Sequence, residues 1–266
     1  MKAFALLRAA WAYRGFIMGS VRREFQAKYG NAMLGASWTL LQPLAMIVVY
    51  TVIFAQVMHS KLPGNTSTFA YSIYLCAGIL TWGLFAEILT RAQTMFLDNA
   101  NLIKKISFPR ICLPIIVVLS ALLNFAIIFG LFVVFLLLSG TFPGAVFLAI
   151  LPVLLVQVLF AVGLGLLVGL LNVFFRDVGQ LFTILLQFWF WFTPVVYPAS
   201  ILPEGIRGLL VYNPMAAVIG AYQTILVEAR APVWSTLLPA AIAAVLLCVL
   251  GLRMFRRRAG EMVDEL

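Results

Sequence analysis

Side chains that could do covalent chemistry are sparse in this chain. His59 is the single histidine, and Cys76, Cys112 and Cys248 sit in or beside apolar runs with no paired spacing, so neither a disulfide framework nor a metal site is indicated. The cysteines read as small buried hydrophobes. No segment matches G-x-x-x-x-G-K-[ST], so the chain cannot cradle a nucleotide in the P-loop manner on its own. The polar loops are too short for a catalytic domain, and no catalytic residue is expected. Four groups of residues remain. Glu87 has Arg91 four positions on; Lys104, Lys105 and Arg110 crowd one loop; Phe188, Trp189, Phe190, Trp191, Phe192 and Tyr197 crowd the end of an apolar run; and Arg8, Arg14, Arg22, Arg23 and Lys28 run through an aromatic N-terminal stretch. A carboxylate near a membrane is a functional candidate by default. Here an Arg at i+4 can neutralise Glu87 along one helix face, which makes a structural pair the better reading.

The elements that must position these groups are set by composition. Of 266 residues, 64% are hydrophobic and 10% charged, far below the quarter or so of charged residues in soluble domains, so the chain is an all-α polytopic membrane protein. A net charge of +9 would suggest nucleic acid in a soluble protein, but the cations alternate with apolar runs as membrane topology requires. Nucleic acid is therefore not an expected partner. The N-terminal charges are scattered through apolar residues and do not form a charged tip ahead of a clean apolar core, so no cleaved signal is expected.

The decisive stretch runs from Leu181 to Pro214. From Val178 it has about fifteen residues before Thr193-Pro194, whereas a hydrocarbon core of about 30 Å needs roughly twenty in a straight helix. The helix is expected to break there. Irregular backbone at that depth is tolerated only where protein or a water-filled cavity satisfies it, which predicts a lined passage. The aromatic cluster would be its wall. Consecutive aromatics point in all directions around a helix, so only two or three can face one passage, and an interfacial aromatic belt is the competing reading.

Six spans are expected, at 37–58, 69–88, 111–138, 146–171, 178–198 and 234–254, in one domain covering 1–266. Residues 1–33 suit an amphipathic helix lying in the membrane surface with its cations among headgroup phosphates; a positive-inside flank would look similar. Residues 91–110 carry enough apolar side chains to form a short helix that buries one face. In the fourth span Ala161, Gly165 and Gly169 recur at four-residue spacing, a face that lets another helix approach closely. Residues 199–230 are interrupted at Asn213-Pro214 and are read as re-entrant or outer helices. A crossing there would carry Arg256, Arg257 and Arg258 to the face opposite the other cations, against the positive-inside bias. Both termini are thus expected in the cytoplasm.

Four ordered motifs resemble one family. RREFQAKYGNAMLGASWTLLQPL at Arg22 to Leu44, NANLIKKISFPR at Asn99 to Arg110, FFRDVGQ at Phe174 to Gln180, and the later TP at Thr193-Pro194 with YNP at Tyr212 to Pro214 are similar to ABC-2 type permeases that export polysaccharides, closest to the O-antigen branch. The resemblance spans nearly the whole chain. It implies a homodimer in the bacterial inner membrane joined by two copies of a separate ABC ATPase subunit, which would bind the ATP and Mg that this chain lacks the means to hold. It implies a lipid-linked polysaccharide as cargo, typically on undecaprenyl diphosphate for O-antigen, with capsule or teichoic acid, or a smaller lipid or drug, as alternatives. A membrane scaffold for glycan assembly is the alternative from another class. By the same resemblance Asn99, Leu102, Ile103, Lys104, Lys105, Phe108 and Arg110 would couple to the ATPase. Phe188, Trp189, Trp191, Phe192 and Tyr197 would line the channel, since rings stack on sugar faces without fixing one register. Arg8, Arg14, Arg22, Arg23 and Lys28 would meet a lipid diphosphate or ordinary anionic lipids.

Overall fold

The computed structural model describes residues 8, 11–29, 41, 44–46, 48–49, 52, 69–105, 108–258 and 260–265. The expected first span at 37–58 lies mostly outside the described residues. The rest is helical: α1 (Arg14–Tyr29), α2 (Ala70–Asp98), α3 (Ala100–Lys105), α4 (Cys112–Leu138), α5 (Ile150–Phe174), α6 (Asp177–Phe192), α7 (Glu204–Leu209), α8 (Pro214–Glu228), α9 (Trp234–Arg258) and α10 (Glu261–Glu265).

Four stretches among the described residues are long and apolar enough to cross a membrane: Ala70–Asp98, Cys112–Leu138, Gly144–Phe174 and Trp234–Arg258. The first begins where the expected span 69–88 begins and runs on beyond it. It stays helical through Asp98 because no Gly or Pro interrupts Glu87 to Asp98, and Ala92, Met95 and Phe96 in the added turns are buried. The polar interruption after it shrinks to α3 and the turn at Phe108 to Ile111.

Helix α2 is the central post. Its buried face, including Phe85, Ile88 and Leu89, forms one core with α4, α5, α8 and α9. Helix α5 packs tightly between α2 and α9. A Cβ on Gly165 would lie 2.7 Å from the Ala92 Cβ, and one on Gly163 would lie 2.5 Å from the Cys248 backbone nitrogen. The small-residue face read from the sequence is therefore used against α2, and Gly163 serves a second face, towards α9. Without hydrophobic gain between apolar helices in lipid, such close backbone packing is what holds them together.

Helix α6 spans 16 residues, about 24 Å at 1.5 Å per residue, shorter than the membrane core of about 30 Å. Its start is fixed by Asn172, whose Oδ1 accepts from the Gly179 N–H at 2.8 Å while Nδ2 donates to the Gln93 carbonyl at 2.8 Å. Gly179 is required there, since an added Cβ would sit 2.7 Å from that oxygen. The FFRDVGQ motif thus closes the corner between α5 and α6 onto α2. After the break, the segment Glu204–Tyr212 and helix α8 meet at 99° about Asn213.

The two ends of the bundle differ. Phe96 of α2 stacks on Phe255 of α9 at one end, with α1, α3, α10 and the first turns of α4 and α6 alongside. Exposed Arg14, Arg22, Arg23, Lys104, Lys105, Arg176, Arg253, Arg257 and Arg258 all fall at that end. The opposite end holds the break, α7 and α8, with exposed Arg207 and Arg230.

Candidate functional site

The break after α6 is where the sequence expects it. Thr193 is extended (φ −105°, ψ 131°), as the residue before a proline should be, and Thr193, Pro194 and Val195 are buried. Their backbone is satisfied by side chains. Tyr74 Oη donates to the Tyr197 carbonyl at 2.8 Å and lies 3.2 Å from that of Pro194; Tyr71 Oη donates to the Val196 carbonyl at 3.1 Å; Gln223 Nε2 donates to Pro194 at 3.2 Å. Gly78 makes room, because a Cβ there would meet the Val195 oxygen at 2.5 Å.

Asn213 ties the two arms of the break. Its Oδ1 accepts from Trp189 Nε1 at 2.9 Å and from the Met215 N–H at 3.1 Å, capping α8, while Nδ2 donates to Thr193 Oγ1 at 3.0 Å. Pro214 follows as the first helical residue, where its missing N–H costs nothing. The backbone at the break is thus paired with protein groups. Beyond it, between α8 and the start of α9, opens a cleft of about 920 Å³ whose lining includes Tyr74, Pro194, Gln223, Thr224, Glu228 and Arg230.

The aromatic cluster divides by helix face. Trp189 packs inward, edge-on to Phe85 at 5.4 Å and near Trp82 and Phe160, and Phe190 packs on Trp82 at 5.6 Å. Trp189 thus braces α6 against the bundle, its indole N–H engaged by Asn213. Phe188, Trp191 and Phe192 are 59–66% exposed and continue a stripe with Leu181, Ile184 and Leu185. These six recur at the spacing of one helix face. Tyr197 is half-buried and its Oη donates to the Trp191 carbonyl at 2.6 Å.

At the cation-rich end, α3 buries only Ile103, while Lys104 and Lys105 are exposed and Leu102 is half-buried. Asn99 Nδ2 donates to the Met95 carbonyl at 2.8 Å, joining α3 to the end of α2. Phe108 packs against Phe16 of α1 with centroids 5.3 Å apart and the rings tilted by 45°, and Arg110 is half-buried. Helix α1 seats Ile17 and Val21 on Cys112 and Ile116 of α4 and leaves Arg14, Arg22 and Arg23 exposed. The Arg14 guanidinium lies 5.5 Å over the Trp11 ring. Arg8 is exposed, and the Lys28 side chain lies outside the described residues.

Polar side chains elsewhere also shape the bundle. Arg91 pairs with Glu24 at 2.5 Å, closer than with Glu87 at 4.0 Å, and Glu87 instead accepts from Asn124 Nδ2 at 2.8 Å. These groups border a cleft of about 430 Å³ between α1, α2 and α4. Tyr74, Asn172 and Gln223 stand outside every motif quoted above, although polar side chains in apolar segments are the signal that finds them.

Residues 17–227 match the family described as ABC-2 type transporter. The chain is 32% identical over 263 residues to the O-antigen export system permease protein RfbA of Myxococcus xanthus, covering 98% of this chain and 99% of that protein. It is 31% identical over 198 residues to the protein of the same name from Klebsiella pneumoniae, 74% of each chain. The polysialic acid transport protein KpsM of Escherichia coli is 22% identical over 198 residues, 74% of this chain and 75% of that protein. The chain belongs to the ABC-2 type transporter family.

Proposed function

We propose that this chain is the membrane permease subunit of an ATP-driven exporter whose cargo is a lipid-linked polysaccharide, of the O-antigen kind on undecaprenyl diphosphate. The relatives named for O-antigen export support this over capsule export, at 32% identity over 98% of the chain against 22% over 74% for the polysialic acid protein. The chain contains no P-loop, so nucleotide and Mg belong to a separate ATPase subunit.

The observation that carries the mechanism is the open stripe of α6 on a helix too short to cross alone. Two copies of the chain meet with these stripes flanking a shared passage, and Phe188, Trp191 and Phe192 offer ring faces on which pyranose units slide. Tyr197 extends that wall. The passage runs across the bacterial inner membrane through six spans per subunit, the first at 37–58, with both termini on the cytoplasmic side. Cations gathered at one end of the bundle support that orientation.

On that side α3 and its flanks, Asn99 to Arg110, are the seat of the ATPase, one copy on each of two subunits. Helix α1 lies along the membrane surface, and Arg8, Arg14, Arg22, Arg23 and Lys28 meet lipid phosphates, including the diphosphate of the cargo. The test is co-reconstitution of the permease with its ATPase in proteoliposomes. ATP-dependent movement of undecaprenyl-diphosphate-linked glycan is the expected result. Movement of small amphiphiles without glycan overturns the reading.

A further inference from the structure

Among the described side chains, Met262 is the buried anchor of the last helix. Helix α10 has five residues, too few to persist alone in water, and its Met262 is 0% exposed. Met262 belongs to the core formed by Phe96 of α2, Ile103 of α3, Leu170 and Val173 of α5, and Phe255 of α9. Ile103 is also the only buried residue of α3. The end of the chain therefore returns beneath the bundle and completes the apolar seat on which α3 rests. An ion pair between Arg258 and Glu261, three residues apart, ties α10 back to the end of α9.

The outer side of the same pair of helices is charged in both signs. Lys104 and Lys105 are exposed on α3, and Glu261 and Glu265 on α10. Acidic residues are repelled by anionic headgroups, so this face suits a protein cleft of mixed charge better than a lipid surface. We infer that α3 and α10 form one composite docking surface for the ATPase subunit, with Met262 as the positioning residue that holds α3 in its docking pose. This rests on the reading of α3 as the ATPase seat. A shift of α3 under the ATPase would pass through Met262 to α5 and α9 as well as through its covalent links to α2 and α4.

The experiment uses the full-length permease with and without its ATPase. Tryptic cleavage at Lys104-Lys105 is timed on the permease alone, and ATPase retained on affinity-purified permease is quantified. Met262→Asp is expected to speed cleavage at least tenfold and cut retained ATPase at least tenfold, while Met262→Leu stays within twofold of wild type on both. Deletion of 261–266 should reproduce the Asp result in a permease that remains monodisperse. Lys104→Glu with Lys105→Glu reads the docking assignment separately. If that double variant loses the ATPase while Met262→Asp and the deletion keep it, the docking reading stands and the composite surface is overturned. If the double variant keeps the ATPase, the docking reading itself fails, and the composite surface with it.

Discussion

Arg91 of α2 and Glu24 of α1 meet at 2.5 Å although 67 residues separate them in the chain. Glu24 also accepts from Ser120 Oγ of α4 at 2.6 Å, so one carboxylate joins the N-terminal helix to two helices of the bundle. Glu24→Ala should release α1 from that corner. Both partners are open to solvent, 31% and 42% exposed, so screening limits the pair to about 1 kcal/mol or less. A double-mutant cycle of Glu24→Ala and Arg91→Ala, followed by thermal unfolding in detergent, should give a coupling of that size. Glu87→Ala with Arg91→Ala should give a smaller one.

Gly163 in α5 and Gly130 in α4 make a contrasting pair, the first at a close helix contact and the second away from one among the described residues. Gly163→Val places atoms on the α9 backbone, at 2.5 Å from the Cys248 nitrogen, and overpacking of this kind costs about 1–3 kcal/mol. Gly130→Ala in α4 adds a Cβ that meets nothing within 4 Å among the described residues. The valine variant should lower the unfolding temperature clearly, and the alanine variant should leave it unchanged or slightly raised.

Gln223 and Tyr74 guard the unwound segment. Gln223→Leu strands the Val195 carbonyl and leaves that of Pro194 with only Tyr74 Oη at 3.2 Å, at a buried site where an unsatisfied acceptor costs about 1–3 kcal/mol. Amide exchange at Val195 to Tyr197 should accelerate by one to two orders of magnitude, with little change in the middle of α5. Tyr74→Phe should act in the same direction through the Tyr197 carbonyl.

Asn213 links α6 to α8, and Asn213→Ala removes the partner of the Trp189 indole together with the α8 cap. Loss of an Asn cap alone costs about 1 kcal/mol. Trp189 fluorescence should shift and broaden in this variant, read in a chain whose other tryptophans are replaced by phenylalanine. An unchanged spectrum would contradict the bracing role of Trp189.

What the sequence made legible follows from periodicity and from proline. Apolar runs named the helices α2, α4, α5 and α9, and Thr193-Pro194 placed the break, because length and a missing N–H are local properties. The partner of Arg91 was not legible, since i+4 spacing offers Glu87 and nothing local points to Glu24. The direction of each ring in Phe188 to Phe192 depends on how α6 rotates against Phe85 and Phe160, which is decided by tertiary packing. Likewise nothing local in Glu261 to Glu265 points to a buried side chain, and the apolar hole beside Ile103 explains why Met262 is buried.

Thiol labelling during turnover tests the central claim most directly. Single cysteines at positions 181, 188, 189 and 191, with Cys76, Cys112 and Cys248 replaced by alanine, are exposed to a membrane-impermeant maleimide in the ATP-driven complex. Cysteines at 188 and 191 should label in an ATP-dependent way and be shielded by glycan cargo, while position 189 stays unreactive. Positions 181, 188 and 191 that never react with the aqueous reagent, yet are modified by a lipid-dissolved probe, would place the open stripe of α6 against lipid and contradict the passage.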